Sequence, residues 1–207
     1  TRFACVFGSG IGGMEVFERE SIVLHEKGAK RVSPLFIPTM ISNMAAGNLA
    51  IRYGLKGDCL NIVTACSTGT HCVGEAYRLI RFGLADAALA GGTEEGITNM
   101  SLAGFGNLGA ITKSDDPMKA GLPFDARRSG FVAGEGAGAL VLESLEHAQA
   151  RGANIIAEIT GFGSTGDAYH MTAPEPSGEG AVRAMRQALA EGGFSPEDVG
   201  HLRCLPL

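Results

Sequence analysis

No run of 18 or more consecutive apolar residues occurs in the 207-residue chain, so no segment reads as a membrane span. There is no long basic run either, and the formal net charge is −5. Together these argue against a nucleic-acid or anionic-membrane surface. The five cysteines, Cys5, Cys59, Cys66, Cys72 and Cys204, are odd in number and include no C-x-x-C pair. That speaks against a disulfide framework and a zinc site, and it fits a reducing compartment. The first residues, Thr1-Arg2-Phe3-Ala4-Cys5-Val6, form a strand pattern and not a signal peptide. The chain does not begin with methionine, so a cut N-terminus is expected. It also lacks a strict short repeat and a low-complexity linker.

What it has is apolar residues at 45% and 31 glycines, which cluster at the ends of apolar runs. The first figure allows a sizeable core, and the second supplies tight turns and close backbone approaches. Strand-like and helix-like runs alternate, which predicts an α/β fold around a largely buried sheet. Strands are expected at residues 2–7, 59–65, 86–90, 131–133, 137–143, 154–160 and from 199 to 202. Helices are expected at 13–27, 41–53, 67–82, 144–151 and 180–191, with a short one starting at Ser195-Pro196-Glu197-Asp198. Met14, Phe17, Ile22 and Leu24 form the apolar side of the first helix. Residues 33–39, with Pro34 and Pro38, read as a connector. Residues 98–123 read as an irregular loop of the kind that is functional or mobile.

The segment Thr64-Ala65-Cys66-Ser67-Thr68-Gly69 is the most informative. An apolar, β-favouring run stops at a cysteine and a helical pattern begins behind it. Val73, Ala76, Tyr77 and Ile80 recur at helical spacing, and Gly83 closes the run as a C′ residue. Amide groups and the dipole at a helix start favour a thiolate, which is the nucleophile in covalent acyl transfer. On spacing alone, a buried structural cysteine is the commoner reading. His71 follows five residues later. Five residues turn about 500°, so His71 points about 140° away from Cys66 and is not expected to be its base. His147 is expected to be solvated, and His170 to sit in a loop.

Gly8-Ser9-Gly10-Ile11-Gly12-Gly13 matches a dinucleotide fingerprint in form. The acidic residue wanted about 20 positions on, Glu26, lies inside a helical run, so the context fails. Gly161-Phe162-Gly163 repeats the pattern without a following helix. Asp125-Ala126-Arg127 reads as a structural turn with a local ion pair. Phe105, between Gly104 and Gly106, reads as a gate or equally as a core plug.

Several of these segments together resemble the β-ketoacyl-acyl-carrier-protein synthases, the condensing enzymes of fatty-acid synthesis. They are the cysteine segment, Ala90-Gly91-Gly92-Thr93-Glu94, Pro123-Phe124-Asp125-Ala126-Arg127-Arg128-Ser129-Gly130-Phe131, Gly134-Glu135-Gly136-Ala137-Gly138 and Asp167-Ala168-Tyr169-His170-Met171-Thr172. The resemblance spans residues 1–201 and is closest to the type II enzymes. It implies an α/β, thiolase-like layered fold built from two related halves. Residues 1–155 would be a nearly complete first half carrying the nucleophile, and 156–207 the start of a truncated second half. It implies that Cys66 takes an acyl group from acyl carrier protein, and that malonyl-carrier protein is decarboxylated to a carbanion that attacks the thioester. The Cys66 N–H would form half of the oxyanion hole. Phe105 falls at the family's acyl-pocket gate, and Asp167 and Thr172 near the phosphopantetheine entrance.

No metal and no resident cofactor is implied, because the phosphopantetheine arrives on the carrier. A cytoplasmic homodimer is implied, with no nucleic-acid or membrane partner. Two histidines of the family are expected beyond Leu202, the first in an Asn-Ala-His-Gly-Thr motif, and so is a second oxyanion loop. Residues 203–207 read as foreign instead, as after a frameshift. The chain therefore reads as an internal piece of a synthase. Gly109 stands where the family often has an arginine. A polyketide ketosynthase shares the chemistry, although Ser67-Thr68-Gly69 is closer to the fatty-acid type. A non-catalytic chain-length-factor subunit usually lacks the cysteine. A truncated scaffolding product is the remaining alternative, and a thiolase fits the motifs poorly.

Overall fold

The computed structural model describes residues 2–203, which divide into two compact units, residues 2–147 and 148–203. The first unit is organised by four strands: β1 (Phe3–Gly8), β2 (Cys59–Leu60), β3 (Ala87–Glu94) and β4 (Gly136–Glu143). They form a sheet of order β2-β1-β3-β4, in which β1 runs parallel to β2 and β3 while β4 is antiparallel to β3. As the central parallel strand, β1 is apolar without alternation, because both of its faces are covered. Ala4, Cys5 and Val6 are fully buried.

Its side chains part to two layers in period two. Ala4 and Val6 join Cys72, Ala76 and Leu79 of helix α4 (Thr68–Arg81), while Cys5 and Phe7 join Ala46 of α3 (Met44–Tyr53). The sheet thus lies between α3 and α4. The buried face of α4 is Thr68, Cys72, Ala76 and Leu79; of the predicted stripe Ala76 belongs to it, while Val73 and Ile80 pack along its edge. Val73, Tyr77 and Ile80 are only half-buried. Gly83 takes a left-handed φ of 69°, and the pair of bonds from Gly83 N–H to Ile80 and Leu84 N–H to Leu79 closes the helix as predicted. Gly54 ends α3 in the same left-handed way.

Other expectations are corrected. The connector at 33–39 contains a helix, α2 (Phe36–Met40), with Pro38 tolerated in its first turn, where no intrahelical donor is needed. The first helix, α1 (Met14–Lys27), buries only Glu20, and Phe17, Ile22 and Leu24 stay exposed. The loop at 98–123 holds α5 (Asn99–Asn107), whose start is capped by Thr98 accepting from Ser101 N–H at 3.2 Å. Strand 59–65 shrinks to Cys59–Leu60, because Asn61 turns its side chain to Ser9 N–H (3.2 Å) and Ser42 Oγ (2.9 Å). Residues 131–133 make only an isolated bridge from Phe131 to Ile111. Helix α6 (Leu145–Ala150) forms behind Ser144, and Gly152 follows it with φ 67°. His147 is exposed, as expected, and its Nδ1 also pairs with Glu143 at 2.6 Å.

In the second unit, α7 (Glu179–Gly192) forms as predicted, but 154–160 and 199–202 are not strands. The segment after residue 160 is satisfied by a helix and not by a neighbouring strand. Phe162 N–H donates to Glu191 and Ser164 N–H to Gln187, both on α7. A Cβ at Gly163 would sit 1.9 Å from the Ala184 carbonyl, so the second G-x-G pattern serves close packing. A short 3-10 turn, Pro196–Asp198, follows with proline in its first turn.

The one buried carboxylate of α1 gives a stability prediction. Glu20 accepts from Ser33 N–H at 2.8 Å and from Arg19 Nε at 3.3 Å. Chiefly through the Ser33 bond, its pKa is held below the ordinary value of 4.5. The stabilisation is complete above that ordinary value and is lost as pH falls through the lowered one. Glu20→Gln is therefore expected to lower the thermal midpoint at pH 7. It should also flatten the midpoint's decline between about pH 5 and pH 3, as thermal melts across that range would read.

Candidate active site

The C-terminal ends of β1 and β3 face the start of α4 at very short range. A Cβ at Gly8 would lie 2.4 Å from Thr68 Cγ2, and one at Gly92 would lie 3.2 Å from Gly69 Cα. Glycine at all three places lets the helix start sit against both strand ends. The result is an open cleft of about 730 Å³, lined by Cys66, by Val73 and Leu140, and by polar Thr70, Thr93 and Glu94 among small residues.

Cys66 itself lies in a 3-10 turn, Ala65–Ser67, immediately ahead of α4, and it is exposed. Ala65 has φ 50°, a left-handed conformation that costs a residue with a Cβ on the order of 1–3 kcal/mol. The neighbours enforce it. Thr64 N–H donates to the buried Thr68 Oγ1 at 2.9 Å, and Ser67 N–H and Oγ both donate to the Thr64 carbonyl at 3.1 and 3.0 Å. The exposure of Cys66 sets aside the reading of a buried structural cysteine. The helical-wheel argument about His71 does not apply, because Cys66 is in the turn and not on the helix. His71 Nδ1 instead shares a hydrogen bond with Thr64 Oγ1. Among the residues lining the cleft there is no histidine.

The glycine loop after β1 is filled by the chain's own carboxylate. Glu94 accepts from Ser9 Oγ at 2.9 Å, from Gly10 N–H at 2.8 Å and from Ile11 N–H at 3.4 Å. Gly12 N–H donates to Ser9 Oγ and Gly13 N–H to the Met40 carbonyl. These amides are committed internally, which disposes of the phosphate-cradle reading. The sequence pattern placed Glu94 within a motif and Asn61 ahead of the cysteine segment, and gave neither a role. The usable signal was a glycine triplet followed by a carboxylate at the end of a small-residue strand.

Phe105 is on α5, 44% exposed, and among the described residues the cleft lining does not include it. Gly109 stands where it does because α5 ends in a left-handed turn there, with φ 74°. In the second unit, Asp167 accepts from Glu175 N–H at 3.0 Å, and Thr172 N–H donates to His170 Nδ1 at 3.1 Å. Both are exposed and engaged within their own loop. Asp125 and Arg127 form the expected ion pair, two bonds of 2.9 and 2.7 Å. That pairing draws the Asp125 pKa down. Among the described residues no group of three or more His, Cys, Asp or Glu is placed to hold a metal, and no helix is long and apolar enough to cross a membrane.

The thiols differ sharply in access. Cys59 and Cys66 are exposed, whereas Cys5 and Cys72 are buried. Burial raises both of the buried thiols, Cys5 to about 11. A raised thiol pKa leaves less thiolate at a given pH and so slows alkylation. Brief iodoacetamide treatment of the native chain at neutral pH is expected to modify Cys66 and Cys59 and spare Cys5 and Cys72, by peptide mass. Cys204 lies outside the described residues.

Residues 1–148 match the family described as Beta-ketoacyl synthase, N-terminal domain, and residues 156–205 match its C-terminal domain. Over 201 residues the chain is 54% identical to "3-oxoacyl-[acyl-carrier-protein] synthase 2" of Staphylococcus aureus, covering 97% of this chain and 50% of that protein. Its identity to the Vibrio cholerae protein of the same name is 50%, over 97% of this chain and 49% of that one. A crystal structure of a beta-ketoacyl synthase from Burkholderia phymatum superposes with a TM-score of 0.88 at 37% identity, covering 96% of this chain and 48% of that one. The ketosynthase complex of a type II polyketide system, solved with its acyl-carrier protein, superposes at 0.89 with 33% identity over 95% of this chain and 50% of that one. The chain thus spans about half the length of the curated relatives it matches.

Proposed function

The chain belongs to the beta-ketoacyl synthase family, and from that premise we propose that it works in a 3-oxoacyl-[acyl-carrier-protein] synthase of fatty-acid elongation, with Cys66 as the acyl acceptor. The observation that carries this reading is an exposed thiol on a strained turn at the mouth of a glycine-lined cleft. In the first half-reaction the Cys66 sulfur attacks the thioester carbonyl of an acyl-phosphopantetheine. A C–S bond forms, and the carbonyl oxygen becomes an oxyanion that, in this reading, the Cys66 backbone N–H stabilises. The bond to the pantetheine sulfur then breaks, and the proton lost by Cys66 ends on the departing thiol.

In the second half-reaction malonyl-carrier protein loses CO₂, and the carbanion attacks the acyl thioester. This yields the 3-oxoacyl-carrier protein and the free Cys66 thiol once a proton is taken up. That step draws on the two histidines the family places beyond Leu202. Phe105 gates the acyl pocket in this reading, and Asp167 and Thr172 flank the pantetheine entrance. Residues 1–155 and 156–207 belong to the two halves of the fold. The working form is a cytoplasmic homodimer whose partner is acyl carrier protein in its acyl and malonyl forms. It needs no metal and no resident cofactor. The 54% identity to "3-oxoacyl-[acyl-carrier-protein] synthase 2" of Staphylococcus aureus, beside 33% to the ketosynthase of the type II polyketide complex, supports the fatty-acid assignment over the polyketide one.

The carrier as partner is tested by comparing acyl donors. Acyl transfer to Cys66 from acyl carrier protein should exceed transfer from free acyl-pantetheine at equal concentration by about tenfold or more, equivalent to ~1.4 kcal/mol of docking. Equal rates would remove the carrier from the account.

A further inference from the structure

We propose that Glu94 is a positioning residue for the Cys66 nucleophile, acting through the glycine loop after β1. The inference rests on the acyl-transfer reading of Cys66.

Glu94 is the last residue of β3 and is half-buried beside the cleft. Its two carboxylate oxygens take three donors from one loop, Ser9 Oγ, Gly10 N–H and Ile11 N–H. An ionised acceptor makes such bonds shorter and stronger than a neutral one would. Ser9 Oγ in turn accepts from Gly12 N–H at 2.8 Å, so the carboxylate organises the whole turn. Gly10 is held between two neighbours. A Cβ built on it would lie 2.8 Å from Glu94 Oε2 on one side, and 3.7 Å from the Ala65 carbonyl oxygen on the other. Gly10 thus stands beside both the carboxylate and Ala65, and Glu94 sets where the loop backbone lies next to that turn.

Ala65 is the residue with φ 50°, and Cys66 follows it directly. A residue in a sparsely populated conformation keeps it only when its surroundings over-determine it. The bond between Thr64 and Thr68 constrains the turn from the helix side. The loop clamped by Glu94 constrains it from the strand side. Without the carboxylate that second wall is free to move, and the sulfur loses its fixed approach to a thioester in the cleft. Glu94 does not serve as a base, since its oxygens are occupied by the loop.

The test uses the full chain and three variants, Glu94→Ala, Glu94→Gln and Ser9→Ala. Iodoacetamide labelling, read per peptide, follows Cys66 against Cys59 as an internal reference. Acyl transfer from an acyl-pantetheine thioester, titrated in the donor, separates maximal rate from half-saturation. Glu94→Ala should lower the maximal acylation rate roughly 10- to 100-fold, the size of effect that misplacement of a reacting group by about 1 Å produces. Half-saturation and Cys59 labelling should stay within about twofold of wild type. Glu94→Gln keeps one acceptor oxygen and should recover part of the loss. Unchanged Cys66 kinetics in Glu94→Ala would overturn the proposal, and so would no recovery in Glu94→Gln. Cys5 and Cys72 becoming labelled along with Cys66 would mark a general loss of fold. In that case Ser9→Ala, which removes one arm of the clamp, must still slow Cys66 alone, or the proposal fails. If the wild-type chain forms no acyl adduct, the acyl-transfer reading fails, and the labelling ratio of Cys66 to Cys59 still decides the role of Glu94.

Discussion

Cys66→Ala is expected to abolish acyl transfer to the chain while leaving its fold intact. The thiol supplies the attacking sulfur, and no other side chain in the cleft replaces it. Thr68, Thr70, Thr93 and Glu94 line the same space. The three hydroxyls have no lining base to activate them, and the Glu94 carboxylate is held by the glycine loop. Cys66→Ser keeps an oxygen nucleophile of far higher pKa and should still lose on the order of 10³-fold or more in adduct formation. Because Cys66 is exposed, either change should alter stability by no more than about 0.5 kcal/mol. Intact mass after incubation with an acyl thioester reads the first effect, and a denaturant melt reads the second. A Cys66→Ala chain that still carries one acyl group would place the chemistry elsewhere.

The second large effect is structural. Gly91→Ala should destabilise the first unit by roughly 3–5 kcal/mol, combining an overpacked contact with a backbone conformation closed to alanine. Gly91 has φ 157°, and a Cβ there would stand 2.0 Å from the Gly138 carbonyl oxygen and 3.0 Å from Ala139 Cα. Both belong to the neighbouring strand β4, whose backbone is pinned in register with β3 from Ala87↔Glu143 to Glu94↔Gly136. Neither strand can yield without breaking that ladder. The change also disturbs the cleft, since Gly91, Gly92 and Gly138 line it. Gly104→Ala is the matched control. It sits in α5 with nothing within 4 Å of the added Cβ, and should gain about 0.5–1 kcal/mol from helix propensity. Denaturant midpoints of the two variants, run beside wild type, measure the contrast.

Much of this architecture was legible in the residues because local signals agreed with tertiary ones. β1 is a continuous apolar run, and its burial on both faces is what such a run means in a parallel sheet. α4 declared itself through helical periodicity and Gly83, although of the expected stripe only Ala76 lies on the buried face. The reason is that Val73, Tyr77 and Ile80 are large and drew the eye, while the face that packs is made of Thr68, Cys72, Ala76 and Leu79. Small side chains let the helix approach the sheet, and hydrophobicity alone undervalues them. α5 was missed because Gly104 and Gly106 lower helix propensity, although Thr98 supplies an N-cap. Residues 59–65 have strand-like composition, but the Asn61 side chain redirects the backbone there, and just past 154–160 the backbone of Phe162 and Ser164 is satisfied by Glu191 and Gln187. Strand propensity is a statement about neighbours, and the sequence does not name them.

The site was half legible. The break between an apolar run and a helix singled out Cys66 as a candidate, and its exposure in a turn ahead of α4 fits that position. The strained Ala65, the Thr64–Thr68 brace and the Glu94 clamp did not follow, because each joins residues by a route that spacing does not encode. Glu94 is 84 residues from Gly10, its hydrogen-bond partner. The glycine triplet looked like a phosphate site for a sound reason, a run of amides needing an anion. The anion turned out to be the chain's own carboxylate.

The central claim is that Cys66 takes an acyl group from a carrier-bound thioester. The most direct measurement is to mix the chain with equimolar acyl-acyl carrier protein, quench in acid, and locate the acyl mass by peptide mapping. The account predicts one acyl group per chain, on the peptide bearing Cys66, with stoichiometric release of free carrier thiol. Acyl mass on Cys59, or none on the chain while the carrier stays loaded, would contradict it.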